Sequence, residues 1–421
     1  MYRLLTYAKS LGTYLAAAMI PMLVNLLINP LIALNMTPED YAITGFYTSF
    51  STLIGPIITF YMLHYYMKRY YEIDDAQRVV LRATIYKALV LFSSIISIIC
   101  FVLLLVYIYW QNSNFELTDV GYLVMAVVAL PLTGLYNLEL TEYKMQRKSS
   151  AYFYISLFAG VTLAFANLLF VVAIKWGAFG KLLAPLIANL IVFLCVFWKY
   201  RAYWSITTPS IEWKSMLKFC YPLTLGATLG YFFNGFDRTC LATIGNAHEY
   251  GYYVVGAQFA SYLMLFSMAI DSTFRSDLYE AITKRERQRT MKIAMMQIGV
   301  ILAVVVLFAL FCPLIIRILT AGRYMASVPY ARIISISVLT SSLYYIVNNY
   351  TIVRGYPKMY LYTSLIGAIL TILGMKLLVN KYQFIGGGYM VSLSYVILLV
   401  VNVVLLGYQR IVSNCRIKVD E

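Results

Sequence analysis

Asn234-Gly235-Phe236-Asp237-Arg238 puts a carboxylate and a guanidinium side by side in a stretch that is otherwise apolar. On a helix, adjacent residues project about 100° apart, so Asp237 and Arg238 do not simply neutralise each other, and Arg238 shares a face with Asn234. The planar arginine fork can donate two hydrogen bonds to a phosphate. The competing assignment is an ion pair that locks neighbouring helices together. Asn25 and Asn29 sit four residues apart and line one helical face, suited either to a polar cavity or to hydrogen bonds between helices. Asp271 and Arg275 show the same spacing; they form either an interfacial ion pair or a gate that touches lipid headgroups. His64 precedes Tyr65-Tyr66-Met67-Lys68-Arg69 and is either a proton relay or a packing residue. Glu139 and Glu142, close to Lys144, read as local pairing.

Much chemistry is excluded. The only histidines are His64 and His248, and the six cysteines (Cys100, Cys195, Cys220, Cys240, Cys312 and Cys415) have no metal-ligand spacing. The sequence contains no nucleophile–base pair and no Walker loop. Gly386-Gly387-Gly388 follows no strand and is read as close helix packing rather than a nucleotide loop. No cofactor, metal or catalytic residue is expected.

The elements that must position these residues are helices in a membrane. Of 421 residues, 62% are hydrophobic and only 12% charged, and the mean hydropathy is +0.75. Soluble domains carry roughly 25% charged residues. Apolar segments fall at about 11–34, 42–66, 84–110, 119–141, 151–174, 178–198, 216–245, 250–274, 293–319, 328–352, 359–380 and 385–408. Each is long enough to cross a ~30 Å hydrocarbon core as a helix. They are continuous, unlike the alternating strands of a membrane barrel. The first is too long for the core of a cleavable signal and reads as a permanent helix. The 39 tyrosines, among them Tyr65, Tyr66, Tyr70, Tyr71, Tyr344, Tyr345 and Tyr350, read mostly as an interfacial aromatic belt.

A net charge of +15 would point to nucleic acid in a soluble chain. Here the basic residues alternate with the spans. With both termini in the cytoplasm, 25 Lys and Arg face inside and 7 outside, leaving Arg238 within a helix. That asymmetry predicts the orientation and excludes nucleic acid as a partner. An internal repeat predicts two six-helix lobes, 1–205 and 206–421. Aligning Asp40-Tyr41-Ala42 with Glu249-Tyr250-Gly251, an offset of 209, superposes Asn25 on Asn234 and Asn29 on Arg238. With an even number of helices per half, the lobes share one orientation.

Four stretches resemble the polysaccharide-biosynthesis flippases of the O-antigen (Wzx-like) type, members of the superfamily that also holds the multidrug-and-toxin exporters. They are Leu34 to Gly45; Asn234 to Gln258; Leu319-Thr320-Ala321-Gly322-Arg323-Tyr324; and Arg354-Gly355-Tyr356-Pro357-Lys358 followed by Gly386-Gly387-Gly388. The resemblance spans nearly the whole chain. It implies an all-α integral membrane protein of about 12 transmembrane helices, two lobes around a central cavity, and alternating access. It implies as substrate a polyprenyl-pyrophosphate-linked glycan in the bacterial inner membrane, with membrane lipid, a polysaccharide polymerase and chain-length machinery as partners. It also points to Asn25, Asn29, Asp237 and Arg238 as cavity residues. The first helix carries asparagines where the peptidoglycan-precursor flippases have an arginine cluster, which argues against lipid II. One rival is an ion-coupled drug exporter of the same fold, which needs a compact acidic site. Another is a membrane glycan polymerase or glycosyltransferase, which needs acids or arginines on sizeable outside loops.

Overall fold

The computed structural model describes residues 21–111, 115–207, 210–354, 356 and 358–417. The basic residues Arg3, Lys9 and Lys418 and the start of the first apolar segment lie outside this range. The described residues form helices joined by short turns and contain no strand, as lipid demands of a chain that must satisfy its own backbone.

The elements are α1 (Pro21–Asn35), α2 (Pro38–Thr59), α3 (Met62–Arg69), α4 (Asp75–Gln111), α5 (Leu117–Met145), α6 (Ser149–Asn167, continued as a π-helix over Leu168–Ala173) and α7 (Gly177–Tyr200). They continue as α8 (Ser210–Leu229), α9 (Tyr231–Asn234), α10 (Phe236–Ala242), α11 (Ala247–Thr283), α12 (Arg287–Leu319), α13 (Val328–Val353) and α14 (Lys358–Ile417). Among the described residues, eight helices are long and apolar enough by themselves to cross a membrane. The pair α2 and α3, bent by 45°, makes a ninth. To these the described residues add α1 and the broken run α8–α10, and α14, counted once above, divides into two halves at a non-helical Gln383 (φ 51°, ψ −129°). Counted this way, the described helices correspond to the twelve apolar segments of the sequence.

Helix ends depart from the apolar segments in an instructive way. α4 begins at Asp75 and α11 runs on to Thr283, because helix propensity and tertiary contacts carry a helix beyond its apolar stretch. The polar stretch from Arg275 to Lys292 is consequently helix on both sides of a short turn.

The chain divides into two compact units. One runs to Thr228 and includes Leu319–Ala321; the other comprises Leu229–Ile318 and everything from Gly322. In the first unit, the Thr37 hydroxyl caps α2 by accepting from the Asp40 amide, and Asp40 returns the bond to the Thr37 amide at 2.8 Å. The other Asp40 oxygen accepts from the Ala178 amide at 2.8 Å, so one carboxylate serves the start of α2 and the start of α7. Glu116 and Asp119 form a second capping box at α5, and Asp119 also accepts from the Tyr47 hydroxyl at 2.7 Å. In the second unit, Asn246 caps α11 through the Glu249 amide at 3.1 Å. The two caps, Thr37 and Asn246, lie 209 residues apart, the offset of the sequence repeat. Gly256 lets α11 approach α13 closely: a Cβ there would lie 2.8 Å from the Ala331 nitrogen.

Tyrosines correct the belt assignment. Tyr65, Tyr66 and Tyr70 belong to the core of the first unit, and Tyr344 to that of the second, while Tyr71 is exposed. The Tyr66 hydroxyl donates to Glu142, which lets its ring pack in the core as a phenylalanine would.

Candidate functional site

The seventh apolar segment is not one helix. α8 ends at Leu229, and the backbone breaks again at Gly235 (φ −157°, ψ −21°). Glycine, which gains least from helix formation, marks the place where the run is cheapest to interrupt. The face shared by Asn234 and Arg238 is therefore not the face of a continuous helix. Tertiary packing brings the two together instead. Asn234, Asp237 and Arg238 line one cavity of about 170 Å³ within the second unit, together with Ser261 and Met264 of α11, Ser337 of α13 and Val391 of α14.

The two charges behave differently. Asp237 is buried and accepts a hydrogen bond from the Tyr253 hydroxyl at 2.6 Å. Arg238 is half-buried, and its Nε is shielded from solvent without a hydrogen-bond partner. Among the described residues no ion pair joins Asp237 to Arg238. Asn234 is anchored: its carbonyl accepts from Tyr395 at 2.6 Å and its amide donates to Gly230 at 3.2 Å. The cavity thus presents a guanidinium with its donors uncommitted, beside a carboxylate already held by a tyrosine. Such a site can take an oxyanion; a phosphate satisfies the fork geometry in two bonds.

The other candidates lie elsewhere. Asn25 is bonded to its own helix through Pro21 at 2.7 Å, and the Asn29 amide donates to the Leu319 carbonyl at 2.7 Å; both belong to the first unit. His64 is exposed and stacks on Tyr61, ring centroids 4.5 Å apart, at the break between α2 and α3. There, Phe60 and Tyr61 adopt positive φ values of 47° and 51°. Asp271 and Arg275 do form an ion pair, but Asp271 is buried and also accepts from Gln297 of α12 at 3.1 Å. The pair is tied into the second unit rather than free at its edge.

One charged cluster escapes the local reading. Glu139 and Glu142 bind Arg82 of α4, at 3.3 and 3.1 Å, and all three are buried. Glu142 also accepts from Tyr66 and Gln146. The expected pairing with Lys144 gives way because two acids three residues apart occupy one inward helical face. Burial makes a guanidinium on a neighbouring helix the required partner. Two carboxylates within an apolar helix were the available signal. Among the described residues, no group of three or more His, Cys, Asp or Glu side chains is placed to hold a metal ion.

A family model described as "Polysaccharide biosynthesis protein" matches residues 36–329. Among solved structures, the chain is similar to the lipid II flippase MurJ in an inward closed conformation. The identity is 11%, covering 94% of this chain and 87% of that one, with a TM-score of 0.69. It is also similar to an inward-facing multidrug resistance MATE family transporter of the MOP superfamily, at 14% identity, 95% and 98% coverage and a TM-score of 0.67. The MATE multidrug transporter DinF-BH matches at 17% identity, 96% coverage of each chain and a TM-score of 0.67. At these identities the likeness is one of fold. No curated protein sequence matches the chain.

Proposed function

The chain belongs to the polysaccharide biosynthesis protein family, and on that premise we propose that it moves a polyprenyl-diphosphate-linked oligosaccharide from the cytoplasmic to the outer leaflet of a bacterial inner membrane. The observation that carries the reading is Arg238, a cavity-lining cation with a buried, unpartnered Nε and no carboxylate bound to it. A charge inside a membrane protein is costly and marks a functional site by default. Arg238 holds the diphosphate during passage, and Asn234 presents a polar edge beside it. Asn25 and Asn29 are held by the Pro21 and Leu319 carbonyls, with Asn29 buried, and in this conformation serve helix packing in the first unit. Asp237, engaged by Tyr253, keeps the local field from becoming purely cationic.

The orientation follows the 25-to-7 distribution of basic residues, with both termini in the cytoplasm. Transport proceeds by alternating access. Arg238 must hold the diphosphate with moderate strength, since a ligand bound equally well in both states shifts no equilibrium. The product is a lipid-linked repeat unit for a surface polysaccharide, passed on to a polymerase and its chain-length machinery. The short outside turns carry the acids Glu39, Asp40, Glu116, Asp119 and Glu249, and four of the five serve structure, which favours transport over catalysis. Asp40, Glu116 and Asp119 are committed to helix caps, and Glu249 accepts from Tyr330. An exporter of organic cations is disfavoured by an unpaired arginine in the cavity.

The test is complementation in a strain lacking the protein, scored as surface polysaccharide per unit of membrane-inserted protein. The deletion strain should accumulate the lipid-linked unit inside. Arg238→Ala should abolish surface polysaccharide, and Arg238→Lys should restore only part of it, keeping the charge but losing the fork. Full rescue by the double change Asp237→Asn with Arg238→Gln would remove Arg238 from the substrate path. Failure of the deletion strain to build the lipid-linked unit would refute transport altogether.

A further inference from the structure

The second unit contains a larger groove, about 650 Å³, that shares no residue with the Arg238 cavity. It lies between the end of α11, the start of α12, the end of α13 and the last part of α14. Its walls are aliphatic side chains such as Ile282, Ile298, Ile346 and Leu399. Met291 and Val403, which also line it, are 53% and 51% exposed, so the groove opens to the surroundings through apolar residues. Its mouth is cationic: Arg285, Arg287 and Arg354 line it, and no Asp or Glu does. A smaller cavity of about 360 Å³, lined by Arg285, Tyr350, Arg354, Tyr356 and Leu406, shares this mouth.

The charge state of the mouth is selective. The turn between α11 and α12 carries two acids nearby, and both are taken by other cations. Glu280 pairs with Lys284 at 2.5 Å and with Arg289 at 3.2 Å, and Glu286 pairs with Arg289 at 3.2 Å. The hydrogen bond from Lys284, followed by the charges of Lys284 and Arg289, holds the Glu280 carboxyl below its ordinary range, so it remains an anion bound to them. Arg285, Arg287 and Arg354 make no ion pair among the described residues. The Arg354 Nε is buried with no hydrogen-bond partner. Its guanidinium lies 5.3 Å from the centre of the Tyr350 ring, a contact that orients the plane and uses none of its N–H donors.

We propose that this groove is a binding site for one anionic glycerophospholipid, with the phosphate on Arg285, Arg287 and Arg354 and an acyl chain between α12 and α13. Three unpaired arginines above an apolar trough are complementary to a phosphodiester on a hydrocarbon tail and to neither part alone. Basic pockets between membrane helices recognise anionic headgroups in this way. The volume falls within the range of small-ligand sites, sufficient for the chain of one phospholipid, whereas a long polyprenyl carrier would overhang it. The inference draws on neither the transported substrate nor the role of Arg238.

Native mass spectrometry of the full-length protein in detergent, titrated with phosphatidylglycerol or phosphatidylcholine of identical acyl chains, tests it. Phosphatidylglycerol should bind in preference to phosphatidylcholine, with about a fivefold loss for each arginine removed, and the preference should fall as salt rises. Arg285→Gln, Arg287→Gln and Arg354→Gln together should abolish the preference. Met291→Trp, which narrows an exposed part of the groove, should weaken binding of both lipids. An unchanged preference in the triple variant would overturn the proposal. If that variant does not survive extraction, a wild-type preference that does not respond to salt overturns it equally. Displacement of phosphatidylglycerol by a lower concentration of undecaprenyl diphosphate would assign the groove to the carrier lipid instead and refute the phospholipid site.

Discussion

Arg82→Met is expected to be among the most destabilising single changes in the first unit. Arg82 bridges Glu139 and Glu142, and the three side chains are 9%, 1% and 5% exposed. Methionine keeps most of the length and apolar stem but leaves two carboxylates in the interior without their cation. Removing one partner of a buried pair costs about 3–5 kcal/mol, because the stranded charge keeps its desolvation penalty. Two effects moderate the loss: Glu142 retains Tyr66 and Gln146 as donors, and one carboxyl can take up a proton, each drawing the value toward the lower end of that range. The assay is reversible unfolding in mixed dodecylmaltoside–SDS micelles, followed by tryptophan fluorescence and circular dichroism. Lys284→Met, which breaks the exposed pair with Glu280, is the control and should fall within experimental scatter. A cost below about 1 kcal/mol for Arg82→Met, the range of solvent-exposed pairs, would refute the argument that burial sets the worth of this cluster.

Other consequences are open to measurement. Tyr253→Phe removes the donor to buried Asp237 and should cost about 1–3 kcal/mol in the same titration. Gly256→Ala puts a Cβ within 2.8 Å of the Ala331 nitrogen and the Tyr330 Cβ, so a loss of about 1–3 kcal/mol is expected; no change in the thermal midpoint would show that α11 and α13 can separate freely. Thr37→Ala and Asn246→Ala each remove a helix cap and should each cost about 0.5–2 kcal/mol. A reporter fused after Gln288 should be active only in its cytoplasm-specific form; activity of a periplasm-specific reporter would reverse the assigned orientation.

Composition and tertiary packing contributed differently to the candidate site. Arg238 and Asp237 stand out because charge is rare in these helices, a property of composition that needs no coordinates. The same scarcity pointed to Asp271 and Arg275. Local pairing rules failed where the partner is distant: Glu139 and Glu142 sit beside Lys144 in sequence, yet their cation comes from α4, 57 and 60 residues away. The belt assignment failed for Tyr66 and Tyr344 because hydropathy does not say which face of a helix meets a neighbouring helix.

The all-helical, membrane-spanning character of the chain was legible in the sequence alone. An apolar run in lipid must satisfy its own backbone as helix, and caps such as Thr37 and Asn246 are local chemistry. The tertiary structure decided what each charge is worth. It broke the seventh passage at Gly235, turned Asp237 toward Tyr253 and left Arg238 without a carboxylate. It also used Glu280 and Glu286 on Lys284 and Arg289, leaving three arginines at the mouth of an apolar groove. These outcomes depend on distances between segments far apart in the chain. In a medium of low dielectric the energy of a charge is set by the few groups within several ångströms of it, and sequence separation carries no information about which groups those are.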